Sequence, residues 1–176
     1  MAYSGKRDKK MTESSLVFSG KVVHGGIFDF KDVYKFIYEW LTSYDYILVE
    51  KKYSEKIKAT GKDLEVAWEC YRKISDYFRY KIKVSIRVFN MIDVEATRDG
   101  VKVNRNKGEI EMKFDAFLER DYEGKWESSP ITKFLRGIYD KYIIRTTIKM
   151  YEDRLDVEVE EAIAQVKSFL ALEGKR

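Results

Sequence analysis

The 176-residue chain carries 34 Lys and Arg against 30 Asp and Glu, a net charge of +4, with 44% hydrophobic and 15% aromatic residues. That is enough apolar material for a core without covalent staples, and too balanced a charge for a dedicated nucleic-acid binder. A single cysteine, Cys70, excludes an internal disulfide.

No apolar run approaches the roughly 18 residues of a membrane span, and the polar N-terminus lacks a signal-peptide core. A cytoplasmic protein with no membrane partner is therefore expected. One Gln, one His, one Cys and one Pro beside many Lys, Glu and Ile form the pattern of heat-adapted proteins, which leads us to expect a thermophilic, archaeal source.

Residues 1–15 are small, polar and charged, and read as a flexible basic arm ahead of a single domain over 16–176. Lys6, Arg7, Lys9 and Lys10 give this end a local positive charge. Leu16 to His24 reads as a first strand, with Gly20 at a bulge or close approach and Gly25-Gly26 as the turn that ends it. Asp29 is a good helix cap, with Asp32 near the positive helix end. Val33, Phe36, Ile37, Trp40, Leu41 and Tyr44 then form one apolar helical stripe.

Tyr46 to Ala59 reads as a strand whose charged second half suits a sheet edge. Thr60 to Asp63 is a turn signal. Leu64, Val66, Trp68 and Cys70 alternate with polar neighbours as a third strand. The clearest strand is Asp76 to Ile92. Its even positions, Phe78, Tyr80, Ile82, Val84, Ile86 and Val88, are apolar. Its odd positions carry Arg79, Lys81, Lys83, Ser85 and Arg87, so one face is dry and the other cationic. Asp93 to Val103 is predicted as a further strand with a turn at Asp99-Gly100, and Asn104 to Gly108 as the next turn. Ile110 to Leu118 alternates again, with acids where the central strand has bases.

Glu119 to Glu127 reads as a charged loop. Ser128-Ser129-Pro130 opens a helix with an apolar face of Ile131, Phe134, Leu135, Ile138 and Tyr142. Ile144, Ile148, Tyr151, Leu155, Val159, Ile163, Val166 and Leu170 continue by threes and fours. The β-branched run Ile143 to Ile148 predicts a kink or break, giving two helices over about 130–143 and 145–171, with a short strand over 142–150 as the alternative.

These elements predict an α+β domain: a curved antiparallel sheet of about six strands, covered on one face by an N-terminal helix and long C-terminal helices. The order over residues 16–172 resembles the helix-grip domains of the START and Bet v 1 type. It departs from them in the first connection, where one helix replaces the usual pair. The resemblance is topological, rests on no residue motif and carries over no functional residue.

The chemistry on offer is sparse. His24 lies beside the glycine pair with no ligand or nucleophile at useful spacing. Cys70 shares a strand face with Val66 and Trp68, as a buried thiol would. Glu119, Asp121, Glu123 and Glu127 form an acidic group suited to a divalent cation but diluted by Arg120 and Lys125. No cofactor motif occurs. Two constellations remain. Arg136, Tyr139 and Arg145 can clamp an anion if their helix face lines a cavity. Arg79, Lys81, Lys83 and Arg87, with aromatic neighbours, form a sheet face of the kind that binds single-stranded nucleic acid.

The leading expectation is a non-enzymatic binding or assembly protein with a protein partner or self-association. The alternatives are a small-ligand carrier with a cavity between sheet and C-terminal helix, and a nucleic-acid-associated protein using arm and sheet face. The composition also predicts a melting temperature above the mesophile range of about 45–65 °C; scanning calorimetry giving a value inside that range refutes the heat-adapted reading.

Overall fold

The computed structural model describes residues 13–98, 101–124, 130–142 and 145–173. The elements are β1 (Glu13–Phe28), α1 (Phe30–Ser43), β2 (Ile47–Lys58), β3 (Gly61–Lys73), β4 (Phe78–Arg98), β5 (Val101–Arg120), α2 (Pro130–Tyr142) and α3 (Arg145–Glu173). The strands form one open antiparallel sheet in the order β1-β5-β4-β3-β2. The fold is α+β, as its patterning predicts, with five strands rather than six.

The difference has a specific cause. The expected strand over 93–103 is not separate: residues 93–98 extend β4 and Val101 opens β5. The turn at Asp99-Gly100 lies outside the described residues. The expected turn at Asn104–Gly108 is strand, paired with β4 across a register shift between Phe89 and Ile92. There Asn90 adopts φ 50°, a bulge that moves the buried position from Val88 to Met91. Opposite this bulge glycine is needed for space at Gly108, and at Gly61 both for space and for its φ of 138°. A Cβ on Gly108 would sit 2.8 Å from the Phe89 carbonyl oxygen, and one on Gly61 would sit 2.8 Å from the Asn90 backbone.

The polar residues of this stretch hold the start of α1. Asn106 Oδ1 accepts from the Phe30 amide at 3.0 Å, and Arg105 lies 3.4 Å from Asp29 and 3.6 Å from Asp32. Asp29 caps the helix as predicted, accepting from the Lys31 and Asp32 amides.

Two boundaries also move at the N-terminal end. β1 begins at Glu13, inside the stretch assigned to the arm, and runs through Gly25-Gly26 instead of turning there. It stays paired with β5 to Phe28, with Gly26 opposite Gly108. Residues 1–12 lie outside the described set. Gly20 is a close approach, as expected: an added Cβ would fall 2.5 Å from Ile163 Cδ1.

Every apolar even position from Phe78 to Val88 is buried, as are Leu64, Val66, Trp68 and Cys70 on β3 and Ile110 to Leu118 on β5. α1 covers this dry face with Val33, Ile37, Trp40 and Leu41. α3 covers it with Leu155, Val159, Ala162, Ile163, Val166 and Leu170. The two helices meet where Phe36 stacks on Phe169 at 4.8 Å. From Leu155 onward α3 therefore packs directly onto the core, and the open space lies beside its first half.

α2 departs from the expected cover. Ile131, Phe134, Leu135 and Ile138 are 71%, 68%, 49% and 42% exposed, so its apolar stripe faces away from the core. Gly108→Ala is expected to destabilise the fold by about 1–3 kcal/mol through backbone overpacking. Gly25→Ala, which meets nothing within 4 Å, is expected to be near neutral. Equal denaturant midpoints for the two variants would refute the bulge argument.

Candidate functional site

The cationic row of β4 lies on the wet face, and register decides what surrounds it. Antiparallel pairing sets Arg79 beside Glu119, Lys83 between Glu69 and Asp115, and Arg87 between Glu65 and Glu111. Arg79 donates through Nε and Nη2 to Glu119 Oε2 at 2.8 and 2.5 Å. Its guanidinium lies 4.7 Å from the ring centres of both Tyr71 and Tyr122. Lys81 Nζ is 3.3 Å from Glu69 and 3.8 Å from Glu119. Lys83 lies 5.3 Å from the Phe117 ring centre.

Glu69 also accepts from Tyr71 Oη at 2.6 Å. That hydrogen bond, with the charges of Lys81 and Lys51, holds its carboxyl below the ordinary carboxylate range despite partial burial. The row is thus interleaved with carboxylates. Such pairs contribute only about 0–1 kcal/mol each to stability. They do cancel the field that phosphate binding depends on.

A second assembly forms where α1, β3, β4 and α3 converge. Arg72 stands on the dry parity of β3, two residues beyond Cys70. Its Nη2 donates to Glu158 Oε2 at 2.6 Å and its Nη1 to the Tyr44 carbonyl at 2.8 Å. Its guanidinium lies 4.6 Å from the Tyr46 ring centre and 5.1 Å from that of Tyr80. Tyr46 Oη donates to Glu158 Oε1 at 2.7 Å, and Tyr80 Oη donates to the Tyr151 carbonyl at 2.8 Å. Burial, and then the Glu158 charge, push the Tyr46 phenol far above its ordinary value. Burial pushes Tyr80 up to about 12 although Arg72 pulls the other way. Both phenols therefore stay protonated donors at neutral pH.

Above this node lies an open groove of about 1090 Å³. Tyr44, Ile74, Tyr80, Met150 and Val157 supply its apolar walls. Four cations line it: Arg72, Arg145, Lys149 and Arg154. Arg72 is held by Glu158 and Lys149 by Asp153 at 2.6 Å. Arg145 and Arg154 have no ion-pair partner among the described residues. The remaining acid of the lining, Glu161, accepts from Gln165 at 2.9 Å and from Tyr44 at 3.4 Å.

The predicted anion clamp is thus divided. Arg145, the first residue of α3, lines the groove. Tyr139 packs against Tyr77 at 6.2 Å and is not a groove wall. The side chain of Arg136 lies outside the described residues. Arg72, Arg154 and Glu158 were not singled out from sequence, although one signal was present. Leu64, Val66, Trp68 and Cys70 set a dry parity whose next member is Arg72, and a guanidinium there demands a buried carboxylate.

His24 is not in an accessible turn. It sits within β1 opposite Ile110, its ring 6.3 Å from Phe28, with Nε2 buried and without a hydrogen-bond partner. Cys70 is fully buried, and desolvation pushes its thiol up to about 12. β1 and β3 are three strand spacings apart, about 14 Å, so the two side chains cannot form a catalytic pair. In the acidic loop, Glu119 is taken up by Arg79 and Lys81, and Glu127 lies outside the described residues. Among the described residues no three carboxylate, His or Cys side chains form a metal-sized cluster.

No protein-family model matches the chain, and no curated protein matches it in sequence.

Removing one member of the part-buried Arg72–Glu158 pair strands the other. Glu158→Ala is therefore expected to cost about 1–3 kcal/mol, and replacing both by Leu to recover much of that loss. Urea unfolding in which the single variant loses less than about 1 kcal/mol would show that the pair does not hold the node together.

Proposed function

We propose that this is a non-enzymatic binding protein whose ligand is a single-chain amphiphile with an anionic head, seated in the groove beside the first half of α3. One observation carries the reading. Arg145 and Arg154 line an apolar groove while the other two cations of its lining are tied to carboxylates. A guanidinium beside apolar walls favours a ligand that brings both an anion and a hydrocarbon chain.

The groove, at about 1090 Å³ and open to solvent, lies at the upper end of small-ligand sites, which span about 300–1,000 Å³, and so suits a long-chain ligand. Glu161 disfavours a head at its own end of the groove and directs it toward Arg145 and Arg154. The protein's part is to bind and orient. Tyr46 and Tyr80 are already committed to Glu158 and the Tyr151 carbonyl, Cys70 is a buried neutral thiol, and His24 sits on the edge strand β1, away from the groove lining.

Titration calorimetry with dodecyl phosphate below its micelle concentration tests this directly. One-to-one binding is expected, with inorganic phosphate and the neutral dodecyl maltoside binding at least tenfold more weakly. The R145A/R154A double variant is expected to lose at least tenfold in affinity, since a charge-assisted hydrogen bond contributes about 1.5–3 kcal/mol. Val157→Asp, which puts an acid on the apolar wall, is expected to abolish binding. Equal affinity for the neutral probe, or a double variant that binds like the parent, would rule the proposal out.

A further inference from the structure

Among the described helices, α2 is the one whose apolar side is left bare. Ile131, Phe134, Leu135 and Ile138 follow each other at helical spacing and remain open to solvent, while the dry face of the sheet is already covered by α1 and α3. Its composition is equally one-sided. The same thirteen residues supply Lys133, Arg136 and Lys141 against a single acid, Asp140; the helical repeat sets positions 133 and 136 away from the apolar stripe and position 141 along its border. Exposed Arg145 and Lys149 follow at once on α3. Strong segregation, basic polar positions and modest overall hydrophobicity mark a helix that lies in a membrane interface rather than crossing the bilayer. No helix among the described residues is long and apolar enough to cross.

We infer that α2 docks this protein on the surface of an anionic lipid bilayer, apolar stripe down among the headgroups. A second copy of the chain fits the same face less well. Two α2 helices face to face bring like charges together, and the four side chains are a small patch beside the roughly 1,200–2,000 Å² of a stable interface. An anionic membrane supplies what the helix lacks: an apolar layer for the stripe and negative charge for the basic residues around it. The expectation that no membrane partner exists follows from the absence of a spanning run. A surface-lying helix needs no such run.

Vesicle flotation with the intact chain distinguishes the outcomes. The probes are phosphatidylcholine vesicles with and without 30% phosphatidylserine. The parent is expected to bind the anionic vesicles at least tenfold better than the neutral ones, and to lose that preference at high salt. F134S/I138S is expected to lose at least tenfold in binding. K133E is expected to lose at least fivefold on anionic vesicles alone. All four α2 apolar side chains lie outside the core, so unchanged circular-dichroism melting is expected for these variants. If a variant melts early, K141E supplies the same charge test. Equal binding to both vesicle types, no binding to either, or unaltered binding by F134S/I138S overturns the inference. So does a parent that is oligomeric by native mass spectrometry and becomes monomeric in F134S/I138S.

Discussion

The structure depends on the register of β4 between β3 and β5. Side chains on a strand alternate faces, so a slip of one residue would carry Phe78, Tyr80, Ile82, Val84, Ile86 and Val88 into water and Arg79, Lys81, Lys83 and Arg87 into the core. The wet face favours this register through its cross-strand charges, individually weak: Arg79 and Lys81 pair with Glu119 and Glu69, and Lys83 and Arg87 lie opposite acids on both neighbouring strands. The bulge at Asn90 favours it a second time. Its amide donates to Asp63 Oδ1 at 3.0 Å and its side chain accepts from Thr60 at 2.8 Å, while Gly61 and Gly108 leave room for it. β2, β3, β4 and β5 can then run long and stay paired.

The same register carries a charged group where the pattern calls for an apolar one. Arg72 extends the dry parity of β3 to the point where α1 has ended and α3 crosses. A hydrocarbon side chain there would leave the Tyr44 carbonyl without its donor and Glu158 without its charge. Instead Arg72 ties the end of α1, the end of β3 and the first half of α3 into one node, with Tyr46 and Tyr80 on its faces. A part-buried pair of this kind contributes little net stability over apolar packing. It does specify how α3 sits, and so fixes the wall of the groove.

Patterning made the sheet faces, the α1 cap, the α1 stripe and the edge position of β2 legible. Each is set by neighbours within a few residues, which a single sequence displays. The errors fell where distant backbone decides. Gly25-Gly26 and Asn104–Gly108 have turn chemistry, yet both run on as strand: the glycine pair simply stays paired with β5, and the second stretch leaves room at the bulge through Gly108 and holds the start of α1 through Asn106. The candidate site was half legible. Arg145 was visible as a cation near a helix start, and the β4 row as a basic stripe. Pairing across strands then neutralised the row. The freedom of Arg154 depends on which acids Arg72 and Lys149 take, and spacing along the chain does not contain that choice.

The bare stripe of α2 follows from the closure of everything else. The dry face of a five-stranded sheet is broad enough for two helices, and α1 and α3 meet over it at Phe36 and Phe169. Among the described residues, the part of the dry face under α1 and α3 leaves no room for a third helix. The four side chains of the α2 stripe therefore stay 42–71% exposed, although fully burying each would be worth about 1.5–3 kcal/mol. In sequence, a helix surplus to the core looks the same as a helix within it, because periodicity reports a dry face without saying what keeps it dry. In the folded chain the two differ, and the free energy α2 has not used in folding remains available for binding outside the domain, next to the groove that Arg145 and Arg154 line.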